Sequence, residues 1–227
     1  MDFANALESA ADILPEKPKA FLDHLEQAWV EEALASTDSA TIRRRRLPAE
    51  QVLCLVVGLS IMRGRSIVDV ADKLDIALPG RAGVAPSALS QARKKLGPAP
   101  VQWLFHRSSR HWVDKTAERY RWRGLLVQGV DGTKLNVPDS PANNERFDKH
   151  AGQHGRSGYP LTRIVAVMVL GSRICRDASI ASFADHELVV ARPLWDRVDD
   201  NTLTIVDRGF FCAPVLHRLG AQGTNRH

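Results

Sequence analysis

Two aspartates in this sequence stand where a folding chain rarely leaves a charge. Asp207 follows the apolar run Leu203-Thr204-Ile205-Val206 and precedes Arg208, Gly209, Phe210 and Phe211. Asp131 follows LLVQGV, Leu125 to Val130, and precedes Gly132 and Thr133. Each run reads as a buried strand, and a carboxylate at the end of such a strand is costly unless something binds it. Two carboxylates brought together repel, and a divalent cation removes the conflict. Hard oxygen ligands favour Mg²⁺ or Mn²⁺. Asp131 and Asp207 therefore read as two ligands of one metal site.

Each aspartate alone has a plainer explanation. Asp-Gly is a common hairpin pair, and Asp207-Arg208-Gly209 suits a turn that ends a strand. Delivered together by two strands, they fit the metal reading better. A phosphatase reading fails. Haloacid-dehalogenase-like enzymes carry Asp-x-Asp-Gly-Thr with the first aspartate as nucleophile, and Gly129 occupies that position here.

The elements that must position the pair follow Gly124. LLVQGVDGTKLNV alternates as a strand, and LTRIVAVMVLGSRICRDASI reads as two strands joined at Gly171-Ser172. LVVARPLWDRV is short and helical, LTIVDRGFF is the next strand, and APVLHRLG starts another helix. The order is β-β-β-α-β-α. With the first and fourth strands adjacent in a mixed sheet, both aspartates reach one edge. Between them lies NNERFDKHAGQHGRSGYP, with His150, His154 and Arg156; the histidines' four-residue spacing would suit a metal on a helix, but the glycines argue for a mobile loop instead.

Residues 1–124 read as helical. Leu22, Leu25, Trp29 and Ala33 recur at helical spacing, and AEQVLCLVVGLSIM is an apolar helix. RSIVDVADKLDIALPG begins at Ser66, a good N-cap, and VAPSALSQARKKLG runs from Pro86 or Ser87 to Gly97. These two short helices have helix-turn-helix character, although the connection LPGRAGVAP is long for one. The second exposes Ser87, Gln91, Arg93, Lys94 and Lys95, the side-chain types that reach base edges and phosphates. Arg43, Arg44, Arg45 and Arg46 form a second basic run, read as backbone-holding or as a solvated linker. Residues 101–124 read as a further helix. Its rings, Trp103, Phe105, Trp112, Tyr120 and Trp122, are expected mainly in the core rather than on bases.

Charge supports a polyanionic partner. Residues 41–124 carry 17 Lys and Arg against 6 Asp and Glu, while residues 1–40 carry 2 against 9. A block this basic points to nucleic acid more than to a merely solvated surface. With 227 residues, 44% hydrophobic, the chain can bury a real core. No run is apolar enough to span a bilayer, and the acidic start MDFANALESAADILPEK is no signal peptide. Cys54, Cys175 and Cys212 lie far apart, without metal or redox spacing. A cytoplasmic location is expected, with no membrane partner.

The pieces RRRRLPAEQVLCLVVGLSIMRGRSIVDVADKLDIALP, VAPSALSQARKKLGPAPVQWLF, VDGTKLNVPDSPANNERF and LTIVDRGFF occur in an order and spacing that resembles the IS4 family of bacterial insertion-sequence transposases, within the DDE superfamily. The resemblance runs from about residue 40 to residue 219. It implies an α+β chain with a helical N-terminal DNA-binding domain, 1–124, and a partial RNase H-like core with a mixed sheet, 125–227. It implies that Asp131 and Asp207 are the first and second catalytic acids and that Mg²⁺ or Mn²⁺ is the cofactor. The implied partner is double-stranded DNA at the element's inverted repeats, with assembly of a homo-oligomer on that DNA left open. The implied reaction is metal-assisted strand cleavage and transfer. Lys134 and Arg208, beside the two acids, are further candidates for DNA contact.

The family's third acid is a glutamate on a later helix, within a Tyr-Arg-Glu-Lys signature. This sequence reaches LGAQGTNRH without it, and Glu187 precedes Asp207 and so falls out of order. The expectation is a truncated or frameshifted transposase that holds one metal weakly, cuts little or nothing, and leaves part of its sheet uncovered. Two other readings stand beside it: a DNA-binding module that represses transposition, and the product of a decayed gene.

Overall fold

The computed structural model describes residues 25–39, 47–77, 83–149, 151–152, 155–156 and 158–221. The chain divides into two compact units, Met1–Ser108 and Ser109–His227, and the division falls inside a helix.

The first unit is helical: α1 (Gln27–Ser36), α2 (Ala49–Ile61), α3 (Ile67–Lys73), α4 (Pro86–Leu96) and the first half of α5 (Ala99–Ala117). The near-continuous apolar sequence of α2 makes it the hub, and α1, α3 and α4 each pack on it. Leu53 and Leu55 are fully buried among Trp29, Leu34, Val70, Leu89 and Leu104. Burying each such leucine is worth roughly 1.5–3 kcal/mol. Gly58 lets α3 approach: a Cβ there would come within 2.7 Å of Leu74 Cδ1 and 3.2 Å of Val70 Cγ1.

The helix ends follow the sequence cues. Ser66 Oγ accepts a hydrogen bond from the Asp69 amide at 3.1 Å, capping α3. Pro86 opens α4, and Gly97 closes it at φ 71°. Leu89 and Leu96 face the core from α4. The stretch of α1's segment before residue 25, the arginines 43–46 and part of the α3–α4 connection lie outside the described residues.

The second unit is built on a mixed sheet. Its strands are β1 (Arg121–Trp122), β2 (Leu125–Asn136), β5 (Leu161–Val169), β6 (Ile174–Ser182) and β7 (Thr202–Val206), with β3 (Ala151–Gly152) and β4 (Gly155–Arg156) forming a separate small hairpin. The order is β1-β2-β5-β6, all antiparallel, and β7 pairs with β2 in parallel. Between β2 and β5 lies α6 (Pro141–Phe147), between β6 and β7 lies α7 (Glu187–Trp195), and α8 (Ala213–Ala221) follows β7.

One face of the sheet is covered. Val130, Val165 and Val167 pack there against Val190, Ala191, Leu194 and Trp195 of α7, with Phe210 and Val215. Side chains alternate along a strand, so the neighbours of these valines point the other way. Met168 and Ile205, both paired with Gly129, and Ile180, paired with Ile164, lie on that second face and are exposed.

The structure departs from the sequence reading in three places. Helix α5 stops at Ala117, a 3₁₀ turn (Glu118–Tyr120) follows, and Arg121-Trp122 is already strand. The segment before β5 is not simply a loop: Pro141–Phe147 is helical because Ser140 Oγ caps it, accepting from the Asn143 amide at 3.3 Å. Arg156 lies in β4, while His150 and His154 lie outside the described residues. Third, Asp131 does not end a strand. It sits mid-way along β2, whose ladder with β5 continues to Asn136, so Asp131-Gly132 is not a hairpin turn.

Candidate metal-binding carboxylate pair

The parallel ladder between β2 and β7 brings the two aspartates together. Val130 stands opposite Val206, so the next residues along the neighbouring strands are Asp131 and Asp207. Paired strands lie about 4.8 Å apart. Val130 and Val206 both pack into the α7 core, and alternation sends the next side chains to the opposite, open face. Both aspartates are exposed.

Local structure holds each carboxylate lightly. Asp131 Oδ1 accepts from the Gly132 amide at 2.8 Å. Asp207 remains extended (φ −73°, ψ 171°), and its Oδ1 accepts from the Phe210 amide at 3.2 Å. Among the described residues neither carboxylate makes another side-chain hydrogen bond or ion pair, so the outer oxygens are available as ligands. Mg²⁺ is commonly held by one or two carboxylates, with waters and substrate phosphates completing an octahedron. The donor set fits that pattern. Among the described residues no group of three His, Cys, Asp or Glu is arranged to hold a metal.

Two supports for this pair escaped the sequence reading. Phe210 is buried edge-on against Trp195, ring centroids 5.8 Å apart, and pins the turn that carries Asp207. Gln128, three residues before Asp131, is fully buried. Its Nε2 donates to Thr204 Oγ1 at 3.0 Å, and its Oε1 accepts from Arg176 Nη1 at 3.0 Å. The signal was a glutamine at an inward position of an apolar strand, which needs partners when buried.

Glu187 lies across the sheet from the pair. A Cβ built on Gly132 would fall 1.6 Å from Glu187 Oε1, so the carboxylate occupies the space where a side chain at 132 would project. Gly132 follows Asp131 directly, and the two positions face opposite sides. Glu187 Oε1 is also 3.8 Å from Arg163 Nη1, and Arg163 stacks on Phe183. Lys134 reaches the same ring, 5.6 Å from its centroid.

The other candidates are distributed by unit. Ser87, Gln91, Arg93, Lys94 and Lys95 are all exposed on α4. Lys134 and Arg208 are exposed near the two aspartates in sequence. Of the aromatic residues, Trp103, Phe105, Trp112 and Tyr120 are half-buried, whereas Trp122 is 52% exposed. Burial raises the Cys54 and Cys175 thiols above their ordinary range, with help from Glu50 and Asp177 respectively, which suits inert packing. Among the described residues no helix is long and apolar enough to cross a membrane.

Known proteins resemble this chain over most of its length. A family model described as the insertion element 4 transposase N-terminal region matches residues 15–106. InsZ of Escherichia coli K12, named as a transposase, is 35% identical over 220 residues, which span 94% of this chain and 71% of InsZ. The transposase InsG for insertion sequence element IS4, from the same organism, is 32% identical over 206 residues. That match spans 90% of this chain and 46% of InsG, somewhat under half of the relative. No solved structure matches.

Proposed function

The chain belongs to the IS4 family of insertion-element transposases, and we propose that it binds the ends of an insertion element and carries two of the carboxylates of an RNase H-like catalytic centre. One observation carries the proposal: the Val130–Val206 register sets Asp131 and Asp207 side by side on one face. The sheet supports the same reading, with antiparallel β5 and β6 on one side of β2 and parallel β7 on the other.

Each part of the chain has a separable task. The exposed Arg93, Lys94 and Lys95 on α4 neutralise phosphates, and Ser87 and Gln91 on the same helix offer hydrogen bonds to base edges. Arg208 adds positive charge beside Asp207, while Lys134 stands over Phe183 with Arg163, on the face opposite Asp131, and is a separate candidate for phosphate contact. When bound, Mg²⁺ or Mn²⁺ supplies activation of the attacking hydroxyl and charge neutralisation at the scissile phosphate. Asp131 and Asp207 hold and orient it through their outer oxygens. The β2–β7 ladder fixes their separation, and the Phe210 anchor fixes the Asp207 turn.

Among the described residues no third acid joins the pair in a group arranged to hold a metal. Glu187 is on the other face, 3.8 Å from Arg163. With two acids the pair holds a metal weakly and supports little cutting, while α4 still occupies DNA ends.

The test uses Mn²⁺ and labelled inverted-repeat duplex. Asp131→Ala and Asp207→Ala should each abolish Mn²⁺ binding seen by electron paramagnetic resonance and leave duplex affinity unchanged. Alanine at Arg93, Lys94 and Lys95 should do the reverse, lowering the salt slope of binding by about 0.9 for each phosphate that is no longer neutralised. Metal-dependent cleavage by the 227-residue chain would overturn the two-acid reading.

A further inference from the structure

The sequence Arg119-Tyr120-Arg121-Trp122-Arg123 alternates arginine with an aromatic ring, and the structure treats its two rings differently. Tyr120 is an anchor. A Cβ on Gly171 would fall 2.5 Å from Tyr120 Cβ, so Tyr120 packs directly on the turn between β5 and β6. Trp122 points outward, 52% exposed, with the Arg123 guanidinium 4.9 Å from its ring centroid. A tryptophan this open gives up a large apolar area to water.

The backbone under Trp122 is fixed. Arg123 (φ 50°) and Gly124 (φ 82°) are both left-handed, the conformation of a tight two-residue hairpin turn, and Trp122 pairs with Leu125 across it. Arg121 locks the turn from below: its Nη1 donates to the Gly124 carbonyl at 2.9 Å, and its Nε pairs with Glu118 at 3.1 Å. Arg119 and Arg123 have no carboxylate partner among the described residues. Each lies instead against the ring next to it, at 5.6 Å and 4.9 Å. The result is a projecting ring with one guanidinium over it and a second over the neighbouring Tyr120, neither neutralised by a carboxylate among the described residues.

We propose that this hairpin is a contact for unpaired DNA, Trp122 stacking on a base while Arg119 and Arg123 hold the adjacent phosphates. The proposal rests on the reading of the chain as a DNA-binding transposase and adds a second surface to it, separate from α4. Stacking on an aromatic ring needs a base freed from its duplex, and it tolerates any sequence because every base has a π face. Duplex ends and cleaved ends supply such bases. Pre-set geometry at the hairpin means little ordering accompanies binding.

Fluorescence anisotropy with a labelled thymidine oligonucleotide, beside a blunt duplex of inverted-repeat sequence, tests the surface. Trp122→Ala should weaken single-strand binding about tenfold, Trp122→Phe should restore most of it, and duplex affinity should hardly move. Replacing Arg119 and Arg123 with alanine should lower the single-strand salt slope by about 1.4, at 0.7 for each phosphate. Far-ultraviolet circular dichroism checks that each variant folds. Unchanged single-strand affinity in Trp122→Ala overturns the proposal, as does loss of self-association with DNA binding intact. A parent chain that binds the duplex but no single strand overturns the hairpin alone, and one that binds neither overturns the DNA reading as well.

Discussion

Gln128 and Thr204 stand opposite each other in the parallel β2–β7 ladder, and their side chains are hydrogen-bonded at 3.0 Å. Each lies three residues before an aspartate of the pair. The bond therefore marks the one register in which Asp131 and Asp207 become neighbours. A slip of one residue would send one carboxylate to the covered face. Arg176 completes the lock, donating from Nη1 to Gln128 Oε1 at 3.0 Å and from Nη2 to the Arg197 carbonyl at 3.1 Å.

Thr204→Val keeps the shape of the side chain and removes the acceptor from a buried amide, which costs about 1–3 kcal/mol. Thermal denaturation should show that loss, and hydrogen exchange should quicken selectively in β7. Thr204→Ser should behave close to the parent. A valine variant with parental melting and exchange would mean that the ladder alone sets the register.

Gly132→Ala should destabilise by about 1–3 kcal/mol, because its Cβ and Glu187 Oε1 cannot occupy the same space. Glu187→Ala should relieve most of that cost. A double-mutant cycle in urea reads the coupling directly, and additive effects would show that Glu187 swings aside freely.

The adjacent phenylalanines should differ sharply. Phe210→Ala removes a buried ring packed on Trp195 and should cost about 3–5 kcal/mol. Phe211 is 69% exposed, and its alanine variant should stay within about 0.5 kcal/mol of the parent. Mn²⁺ binding should fall with the first change only, since that ring pins the Asp207 turn.

Acid should act on α8 through one ion pair. Hydrogen bonds from Arg218, and then its charge, hold the Asp196 carboxyl below the usual carboxylate range. A group with a depressed folded-state pKa contributes stability above its unfolded value, near 3.9, and loses that contribution as pH falls through the folded value. The melting temperature of the parent should exceed that of Asp196→Asn at pH 7, and the gap should close in acid. Because the pair is exposed, the gap should also narrow in high salt. A gap that persists in acid would assign the difference to something other than this charge.

Local signals in the sequence mapped well onto elements. Ser66, Pro86 and Gly97 bound helices as their chemistry predicts, and the Gly171-Ser172 turn joins β5 to β6. The two acids were visible because each follows an apolar run that reads as a strand. What stayed hidden was non-local. No spacing along the chain says that Glu187 fills the place of a side chain at Gly132, or that Gln128 meets Thr204 and Arg176. The rings of residues 101–124 were expected mainly in the core, and that expectation fails at Trp122, since Arg121 and Gly124 turn the chain into a hairpin and carry its ring outward. Ser140 likewise starts a helix in a segment whose glycines suggested a loop.

Gln128 and Thr204 are separated by 76 residues, as are the two aspartates that follow them. Their meeting is therefore also a matter of timing on the ribosome. At 5–20 residues per second, roughly 4 to 15 s pass between the synthesis of Asp131 and that of Asp207. Throughout that interval the β7 edge of β2 has no partner strand and is open to wrong ones. The residues of the helical unit, up to Ser108, are all synthesised before that interval begins. In each newly made molecule the residues of α4's basic face are thus synthesised seconds before the carboxylate pair is complete.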